Sequence, residues 1–126
     1  MVLLEYFVLS YRHSFHAGNF ADVLKHTVAT SIINYMLKKD KPMCYLDTHS
    51  GCGAYSLKSN EALKTNEFNN GIMQLWGRAD LPAPVAAYLA QVVEFNAQST
   101  LEFYPGSPSI AFQMLREIDR LFLFEL

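Results

Sequence analysis

Two short apolar runs constrain the fold more than any other feature of this sequence. The first, residues 43–47 (MCYLD), lies between Pro42 and a glycine-containing turn, which is typical of a fully buried strand. The second, residues 121–126 (LFLFEL), follows a segment with a helical pattern. A strand, a crossover that contains a helix and a second strand form the unit from which parallel α/β sheets are built.

A long helix is predicted ahead of the first strand. Asn19 is a plausible N-cap, with Asp22 three residues on as its capping-box partner. Apolar residues then recur at helical spacing from about Phe20 to Leu37. Lysines and then Pro42 follow, as expected where a helix ends.

A second helix is predicted ahead of the last strand. Pro105 and Gly106 form a turn, Ser107 has the character of an N-cap, and Pro108 suits the first helical position. The pattern continues to about Ile118.

The region between these parts reads as a helical insertion over residues 58–104. Residues 71–79 (GIMQLWGRA) predict a short amphipathic helix, and residues 84–96 predict a longer one. We therefore expect an N-terminal part with the first strand and glycine loop (1–57), the insertion (58–104) and a returning helix and strand (105–126). Because two strands do not make a stable sheet, we expect these residues to be the front part of a longer fold.

Composition narrows the class of protein. Hydrophobic residues make up 51 % and charged residues 17 %, which suits a packed core. The net charge of −2 gives no general attraction to a polyanion, so a nucleic-acid partner would need local basic residues. The apolar start lacks a basic segment and a cleavage site and is too short to span a bilayer. We expect a cytoplasmic protein without membrane contact, with Cys44 and Cys52 reduced.

The glycine loop after the first strand, residues 47–53 (DTHSGCG), favours a nucleotide-like ligand. Glycines after a strand let the backbone approach a ligand at the carboxyl end of a parallel sheet. A dinucleotide fingerprint would have a third glycine at Ser56, so a nicotinamide enzyme is disfavoured, and a plain turn is an alternative. Glu125, at the end of the second strand, is placed to accept hydrogen bonds from ribose hydroxyls, although a solvated carboxylate is the simpler interpretation.

Three of the four histidines, His13, His16 and His26, lie close together in the sequence. Asp22 and His26 would share a helix face, but no HExxH or paired CxxC motif is present and nothing supplies a fourth metal ligand. A general base is possible, without a nucleophile nearby. In the structural alternative, His13 and His16 bond to loop backbone and His26 lies on the polar side of its helix. These residues alone leave a structural role and a ligand pocket open.

Three motifs together resemble one bacterial family. They are SYRHSFHAGNFADVLKHT (residues 10–27), DKPxxYLDTHSGCGxY (40–55) and YPGSP with the closing LFEL. They are similar to the large-subunit (23S) ribosomal RNA adenine-N6 methyltransferases that use S-adenosyl-L-methionine, and the match runs from about Leu9 to Leu126. The resemblance implies an α/β, class I Rossmann-like S-adenosylmethionine-dependent methyltransferase fold with a helical insertion, here truncated after the second strand.

The same resemblance implies a set of contacts to the cofactor. His26 would face S-adenosyl-L-methionine, and His49 would stand where many methyltransferases have the first glycine of the loop. Gly51 would lie beside the cofactor as well. Ser107 would bring a helix N-terminus near the amino-acid end of the cofactor, and Glu125 would bond its ribose.

The implied substrate contact is Tyr11, near the target RNA. The catalytic Asp-Pro-Pro-Tyr motif of the family does not occur in this sequence, so no catalytic residue is assigned here. No metal ligand is assigned either, because the histidines lack a metal-binding motif. We expect the parent enzyme to act on 23S ribosomal RNA as a monomer and this chain alone to be inactive. The alternative is a non-catalytic module that binds RNA through Tyr11, Arg12 and Lys25, or that associates with itself through residues 121–126.

Overall fold

The computed structural model describes residues 11–125, which form a mixed α/β structure. Its helices are α1 (Phe20–Leu37), α2 (Asn60–Thr65), α3 (Ala83–Phe95) and α4 (Ser107–Met114). Its strands are β1 (Cys44–Asp47), β2 (Ala54–Ser56), β3 (Phe103–Pro105) and β4 (Arg120–Leu123). Single 3-10 turns span His13–Phe15, Glu67–Asn70 and Ile72–Gln74. The apolar start of the chain and Leu126, the last residue of the predicted second strand, lie outside the described residues.

The two predicted strands pair in parallel, as expected. The register sets Cys44 opposite Arg120 and Asp47 opposite Leu123. The prediction that the first strand is fully buried is wrong, because β1 alternates between exposed and half-buried residues and Leu46 is 58 % exposed. The reason is that β4 is the single strand beside β1 in the described part of the chain.

Helix α1 begins and ends where the sequence indicates. The Asn19 side chain accepts from the backbone N–H of Asp22 at 2.9 Å, which confirms the N-cap. The capping box does not close, since the Asp22 carboxylate accepts instead from the backbone N–H of Gly18.

The two faces of α1 have opposite character. The buried face is mostly polar and consists of Asp22, His26, Thr30 and Ile33. The apolar stripe on the other side is exposed and includes Phe20, Leu24, Val28, Ile32 and Tyr35. Helix α1 packs through its polar face against α3 and α4. That face therefore lies against the two helices that flank the last part of the chain, α3 and α4.

Residues 58–104, called the insertion below, supply most of the main hydrophobic core. Tyr88, Leu89 and Val92 of α3 pack with Ile72 and Tyr104 in this core. None of the described helices is long and apolar enough to cross a membrane.

Two short strands that the sequence did not predict, β2 before the insertion and β3 at its end, form an antiparallel pair. Strand β2 pairs with β3, with Tyr55 opposite Tyr104. Each strand has three residues, too few for an alternating pattern to be recognised.

The short helix predicted over residues 71–79 is wrong. Only a 3-10 turn forms there, because Gly71 is pressed against the backbone that precedes α1. A Cβ at Gly71 would lie 2.1 Å from the carbonyl oxygen of Gly18. The neighbouring Ile72 N–H donates to that same carbonyl at 2.9 Å, and Gly77 then adopts a φ of +77°.

Helix α4 differs from its prediction at both ends. Gly106, not Ser107, is the N-cap, and Ser107 lies inside the helix. The helix ends at Met114 and not near Ile118, because Arg116 and Asp119 form a turn of their own. The Asp119 carboxylate accepts from the Arg116 backbone N–H at 2.8 Å, and the Asp119 N–H donates to the Arg116 carbonyl.

Candidate functional site

A cavity of about 540 Å³ opens where the carboxyl ends of β1 and β4 meet α1 and the start of α4. The glycine loop, the N-terminal segment and Glu125 complete its walls. The residues predicted to bind the cofactor or RNA all line it: Tyr11, His26, His49, Gly51, Ser107 and Glu125. The remaining lining residues include Arg12, His13, Ser14, Lys25, Thr48, Ser50, Cys52, Tyr55 and Gly106.

Asp47 holds the glycine loop against the start of α4. One carboxylate oxygen accepts from the His49 backbone N–H at 3.0 Å. The other accepts from the Ser107 hydroxyl at 2.7 Å. Asp47 is absent from the cavity lining, so its role is to position the two residues that do line it. The exposed His49 ring lies beside the loop, with its Nδ1 2.9 Å from the Thr48 hydroxyl.

Gly51 and Glu125 meet across the mouth of the cavity. The Gly51 N–H donates to the Glu125 carboxylate at 2.7 Å. Gly51 has a φ of +68°, and a Cβ there would lie 2.6 Å from the Tyr55 hydroxyl oxygen. Glycine is therefore favoured at this position by its backbone conformation, and any other residue would also displace the Tyr55 hydroxyl.

The start of α4 offers fewer backbone donors than a free helix N-terminus would. The Gly106 N–H donates to the Gly53 carbonyl at 2.7 Å, and Pro108 has no N–H. Ser107 is the residue of this turn, besides Gly106, that reaches the cavity wall.

His26 lies on the polar side of α1, as the structural alternative predicted, but that side is buried and only 1 % of the surface of His26 is exposed. Its Nδ1 lies 2.8 Å from the Tyr104 hydroxyl, which in turn lies 2.9 Å from the Tyr88 hydroxyl. Burial lowers the pKa of His26 to about 4, so the ring is neutral at pH 7. Its Nε2 has no hydrogen-bond partner among the described residues.

Asp22 organises the wall formed by the N-terminal segment. Its carboxylate accepts from His13 Nε2 at 2.7 Å and forms an ion pair with Lys25 at 3.0 Å. Burial opposes ionisation, but the hydrogen bond from His13 and the contact with Lys25 outweigh it, so the pKa of Asp22 falls to about 2. His13 also holds Tyr11, whose hydroxyl lies 2.6 Å from His13 Nδ1.

A second contact fixes the same segment to the insertion. His16 Nδ1 lies 2.9 Å from the Glu67 carboxylate, and the Tyr11 ring stacks on the His16 ring at a centroid distance of 5.3 Å. The structural alternative predicted that His13 and His16 bond to loop backbone. That prediction is wrong, because both rings bond to carboxylate side chains. Tyr11 itself remains 72 % exposed above the cavity.

Sequence reasoning missed Tyr55 and the organising role of Asp22. Tyr55 lines the cavity from β2, a strand too short to detect; it is the last residue of the motif at 40–55, but no role was predicted for it. The spacing of Asp22 from Asn19 marked Asp22 as a helix-start residue. It did not show that the Asp22 carboxylate would bond to His13. In the part of the chain that the structure describes, no three His, Cys, Asp or Glu residues come together as metal ligands, and Cys44 and Cys52 are both free.

Comparisons with known proteins bear on the family. The family model described as Ribosomal RNA large subunit methyltransferase D, RlmJ, matches residues 40–126. Ribosomal RNA large subunit methyltransferase J of Escherichia coli (strain K12) is 56 % identical over 119 residues, and its Haemophilus influenzae counterpart is 50 % identical over 120 residues.

Each of these alignments covers 94 % of this chain but only 42 % and 43 % of the two relatives, so the chain spans less than half their length. A crystal structure of a Legionella pneumophila protein is 47 % identical, with a TM-score of 0.80 over 88 % of this chain and 40 % of that one. The mixed α/β arrangement is thus shared with a solved structure. On the family match and both relatives, the chain belongs to the RlmJ family of ribosomal RNA large subunit methyltransferases.

Proposed function

We propose that this chain forms the cofactor-binding half of a class I, Rossmann-like methyltransferase that uses S-adenosyl-L-methionine. The single observation that carries the proposal is the cavity at the carboxyl ends of the parallel pair β1–β4. In open α/β sheets this end is where nucleotide-like ligands bind. Residues far apart in the sequence, from Tyr11 to Glu125, line it together.

The chemistry of the wall suits the cofactor. S-adenosyl-L-methionine carries a ribose, an adenine and an amino-acid end, so it needs both acceptors and donors. Glu125 supplies a carboxylate for the ribose hydroxyls, and His26 supplies a polar group whose buried Nε2 has no partner among the described residues. His49, Gly51 and Ser107 complete the proposed contacts from the glycine loop and α4.

The proposed reaction of the whole protein is methyl transfer to the N6 amino group of an adenine in 23S ribosomal RNA. Membership of the RlmJ family and the names of the two curated relatives support the RNA substrate. Within this chain, Tyr11 is the proposed RNA contact, because it lies exposed at the cavity rim. We assign no catalytic residue to the chain, since Asp-Pro-Pro-Tyr does not occur in it.

Calorimetric titration with S-adenosylhomocysteine, the product form of the cofactor, tests the proposal. We expect saturable binding to the 126-residue chain and a loss of about tenfold or more in His49→Ala, since truncation leaves loop and ligand groups unpaired. The matched control is Cys44→Ala, an exposed β1 position outside the cavity, which should bind like the parent chain. No saturable binding by a chain that circular dichroism shows to be folded would refute the cofactor half-site.

A second candidate, self-association of a non-catalytic module, is favoured by one observation. Phe122, Leu123 and Phe124, on and just after the outer strand, are 44 %, 44 % and 54 % exposed. Strand β4 pairs with β1 on one side only within residues 11–125, and an apolar strand with a free edge is a template for pairing with another copy. Sedimentation of the chain at rising concentration tests this, because a monomer at all concentrations would remove the candidate.

A further inference from the structure

His26 is the one buried ring in the cavity wall whose second nitrogen is unaccounted for. Its Nδ1 contacts the Tyr104 hydroxyl, and that hydroxyl contacts Tyr88. Tyr88 and Tyr104 are fully buried, with 0 % of their surface exposed. Because Nδ1 is engaged with Tyr104, Nε2 is the ring nitrogen that remains for a ligand; it is enclosed in the ligand-free chain, and its residue lines the cavity.

The three side chains can share their protons in two ways. In the first, Tyr88 donates to Tyr104, Tyr104 donates to Nδ1 of His26, and the ring proton sits on Nε2. In the second, the direction is reversed, with Nδ1–H donating to Tyr104 and Tyr104 donating to Tyr88.

Only the first arrangement uses every hydroxyl proton. In the reversed arrangement the Tyr88 proton has no acceptor, since Tyr104 is the one hydrogen-bond partner of Tyr88 within residues 11–125. Each arrangement leaves one donor unpaired in the ligand-free chain. In the first it is Nε2–H of His26, a residue of the cavity wall where a ligand can accept from it, whereas in the second it is the hydroxyl of Tyr88, enclosed in the core, where the cost cannot be relieved. Both arrangements leave Nε2 for a ligand, so they differ in whether it donates or accepts.

We propose that Tyr88 and Tyr104 are positioning residues that hold His26 as its Nε2–H tautomer, so that His26 donates a hydrogen bond to an acceptor atom of the bound cofactor. This inference rests on the proposed cofactor site. It gives the insertion an indirect part in that site, because Tyr88 belongs to α3 and Tyr104 to β3. Neither tyrosine lines the cavity, so both act through His26.

Burial keeps the ring of His26 neutral, and the charges around it do not change this. Asp22 and Asp47 favour the protonated ring, and Lys25 and His13 oppose it, but burial is the largest influence and lowers the pKa to about 4. At pH 7 the ring therefore carries one proton, and the hydroxyl series decides which nitrogen holds it.

Nitrogen-15 NMR of the histidine rings, recorded on the ligand-free 126-residue chain at pH 7, tests the tautomer directly. We expect Nε2 of His26 to show the shift of a protonated nitrogen and Nδ1 that of an unprotonated one. A protonated Nδ1, or an averaged pair of shifts, would overturn the proposal. This readout does not depend on the cofactor, so it separates the inference from the proposed function.

Addition of S-adenosylhomocysteine tests the second half. The Nε2 proton should move downfield and exchange more slowly with water on saturation. Binding heat without a change at Nε2 would overturn the claim that this proton meets the ligand. Absence of binding heat from the folded chain would refute the proposed function and with it the donation to a cofactor.

Matched Tyr→Phe variants separate positioning from packing. Tyr104→Phe should give an averaged His26 ring signal and bind the ligand several-fold more weakly, because Nδ1 loses its donor. Tyr88→Phe keeps the Tyr104–His26 contact, so it should change the His26 ring shifts less. It replaces Tyr104→Phe in the test if that variant fails to fold. Tyr35→Phe, at an exposed position of α1, should change neither readout. An unchanged His26 tautomer in folded Tyr104→Phe would contradict the role of the hydroxyl series.

Discussion

At the scale of single residues, Asp22 shows how one carboxylate can organise a wall of a site. It accepts hydrogen bonds from His13 and from the Gly18 N–H, and it pairs with Lys25. Its side chain is 3 % exposed, so these partners replace water almost completely. The N-terminal segment that carries Tyr11 is thereby fixed to α1.

Asp22→Asn should lower the free energy of unfolding by about 2 kcal/mol, because the amide cannot satisfy this set of donors. Urea denaturation measures the change. The control is Asp80→Asn, which breaks an exposed pair with Arg78 and should leave the unfolding midpoint unchanged. Equal midpoints for Asp22→Asn and the parent chain would contradict this assignment.

His26 makes stability depend on pH in a defined window. Its pKa is about 4 in the folded chain, below the ordinary value of 6.5, so the unfolded chain binds the extra proton more readily. Stability is therefore fully present above pH 6.5 and is lost as the pH falls from about 6.5 to 4, by about 3 kcal/mol.

Denaturation at several pH values measures the change of the unfolding free energy with pH. The variant His26→Gln should lose the part of this change that falls between pH 6.5 and 4. The contribution of Asp22 lies lower, since its pKa of about 2 means that it is lost only below about pH 4. A parent chain whose stability is flat between pH 6.5 and 4 would argue against a buried, neutral His26.

At the scale of elements, the glycine loop is shaped by the strand that follows it. Gly51 combines a φ of +68° with the Tyr55 hydroxyl 2.6 Å from where a Cβ would lie. Gly77 has a similar φ of +77° but nothing within 4 Å of that point. The two glycines therefore separate backbone strain from crowding.

Gly51→Ala should destabilise the chain by more than Gly77→Ala, whose cost we place at about 1 kcal/mol. It should also weaken S-adenosylhomocysteine binding, which calorimetry would measure. Tyr55→Phe in the Gly51→Ala background should recover part of the loss, because it removes the crowding oxygen. If both glycine variants behave alike, the loop is not shaped by Tyr55.

The turn between α4 and β4 is the other element with a testable role. Arg116 donates to the carbonyls of Lys39 and Lys41 and to the Asp119 carboxylate, so it ties the end of α1 to the start of β4. A lysine has a single ammonium and cannot reproduce this set of planar donors.

Arg116→Lys should lower the thermal midpoint by about 5 °C. The matched control is Arg78→Lys, whose guanidinium bonds the exposed Asp80, and it should leave the midpoint in place. Scanning calorimetry measures both, and equal midpoints for the two variants would contradict the role of Arg116.

Local signals explain which elements could be predicted. Asn19 and Pro42 bracket α1, and its bounds match the structure. The end of α4 could not be predicted, because the apolar pattern typical of a helix continues beyond it. The helix ends because the Arg116 N–H donates to the Asp119 carboxylate and not to a helix carbonyl. The pair β2–β3 was missed because its contacts, such as Tyr55 with Tyr104, join residues distant in sequence.

At the scale of the whole molecule, the described part of the chain has apolar faces that nothing within it covers. The stripe on α1 and the outer faces of β1 and β4 are exposed, with Leu24 66 % and Leu46 58 % exposed. The RlmJ relatives are more than twice as long as this chain. The polar face of α1 is buried, and it is this face that brings His26 to the cavity.

The gathering of the site residues follows from the parallel pairing, which the sequence did predict. Once β1 and β4 run side by side, Gly51 and Glu125 must meet at one edge, and they do so through a 2.7 Å hydrogen bond. The direction from which α1 presents His26 could not be predicted, because it depends on the packing of α1 against α3.

The most direct test of the proposed site is an NMR map of S-adenosylhomocysteine bound to the 126-residue chain. We predict that the backbone amide shifts that change on titration cluster at Gly51, Cys52, Gly106 and Ser107, while that of Gly77 stays in place. A separate groove is lined by Leu81, Ala86 and Val93, on α3 and the segment before it. Shifts confined to that groove, or no shifts at millimolar ligand, would contradict the proposed site.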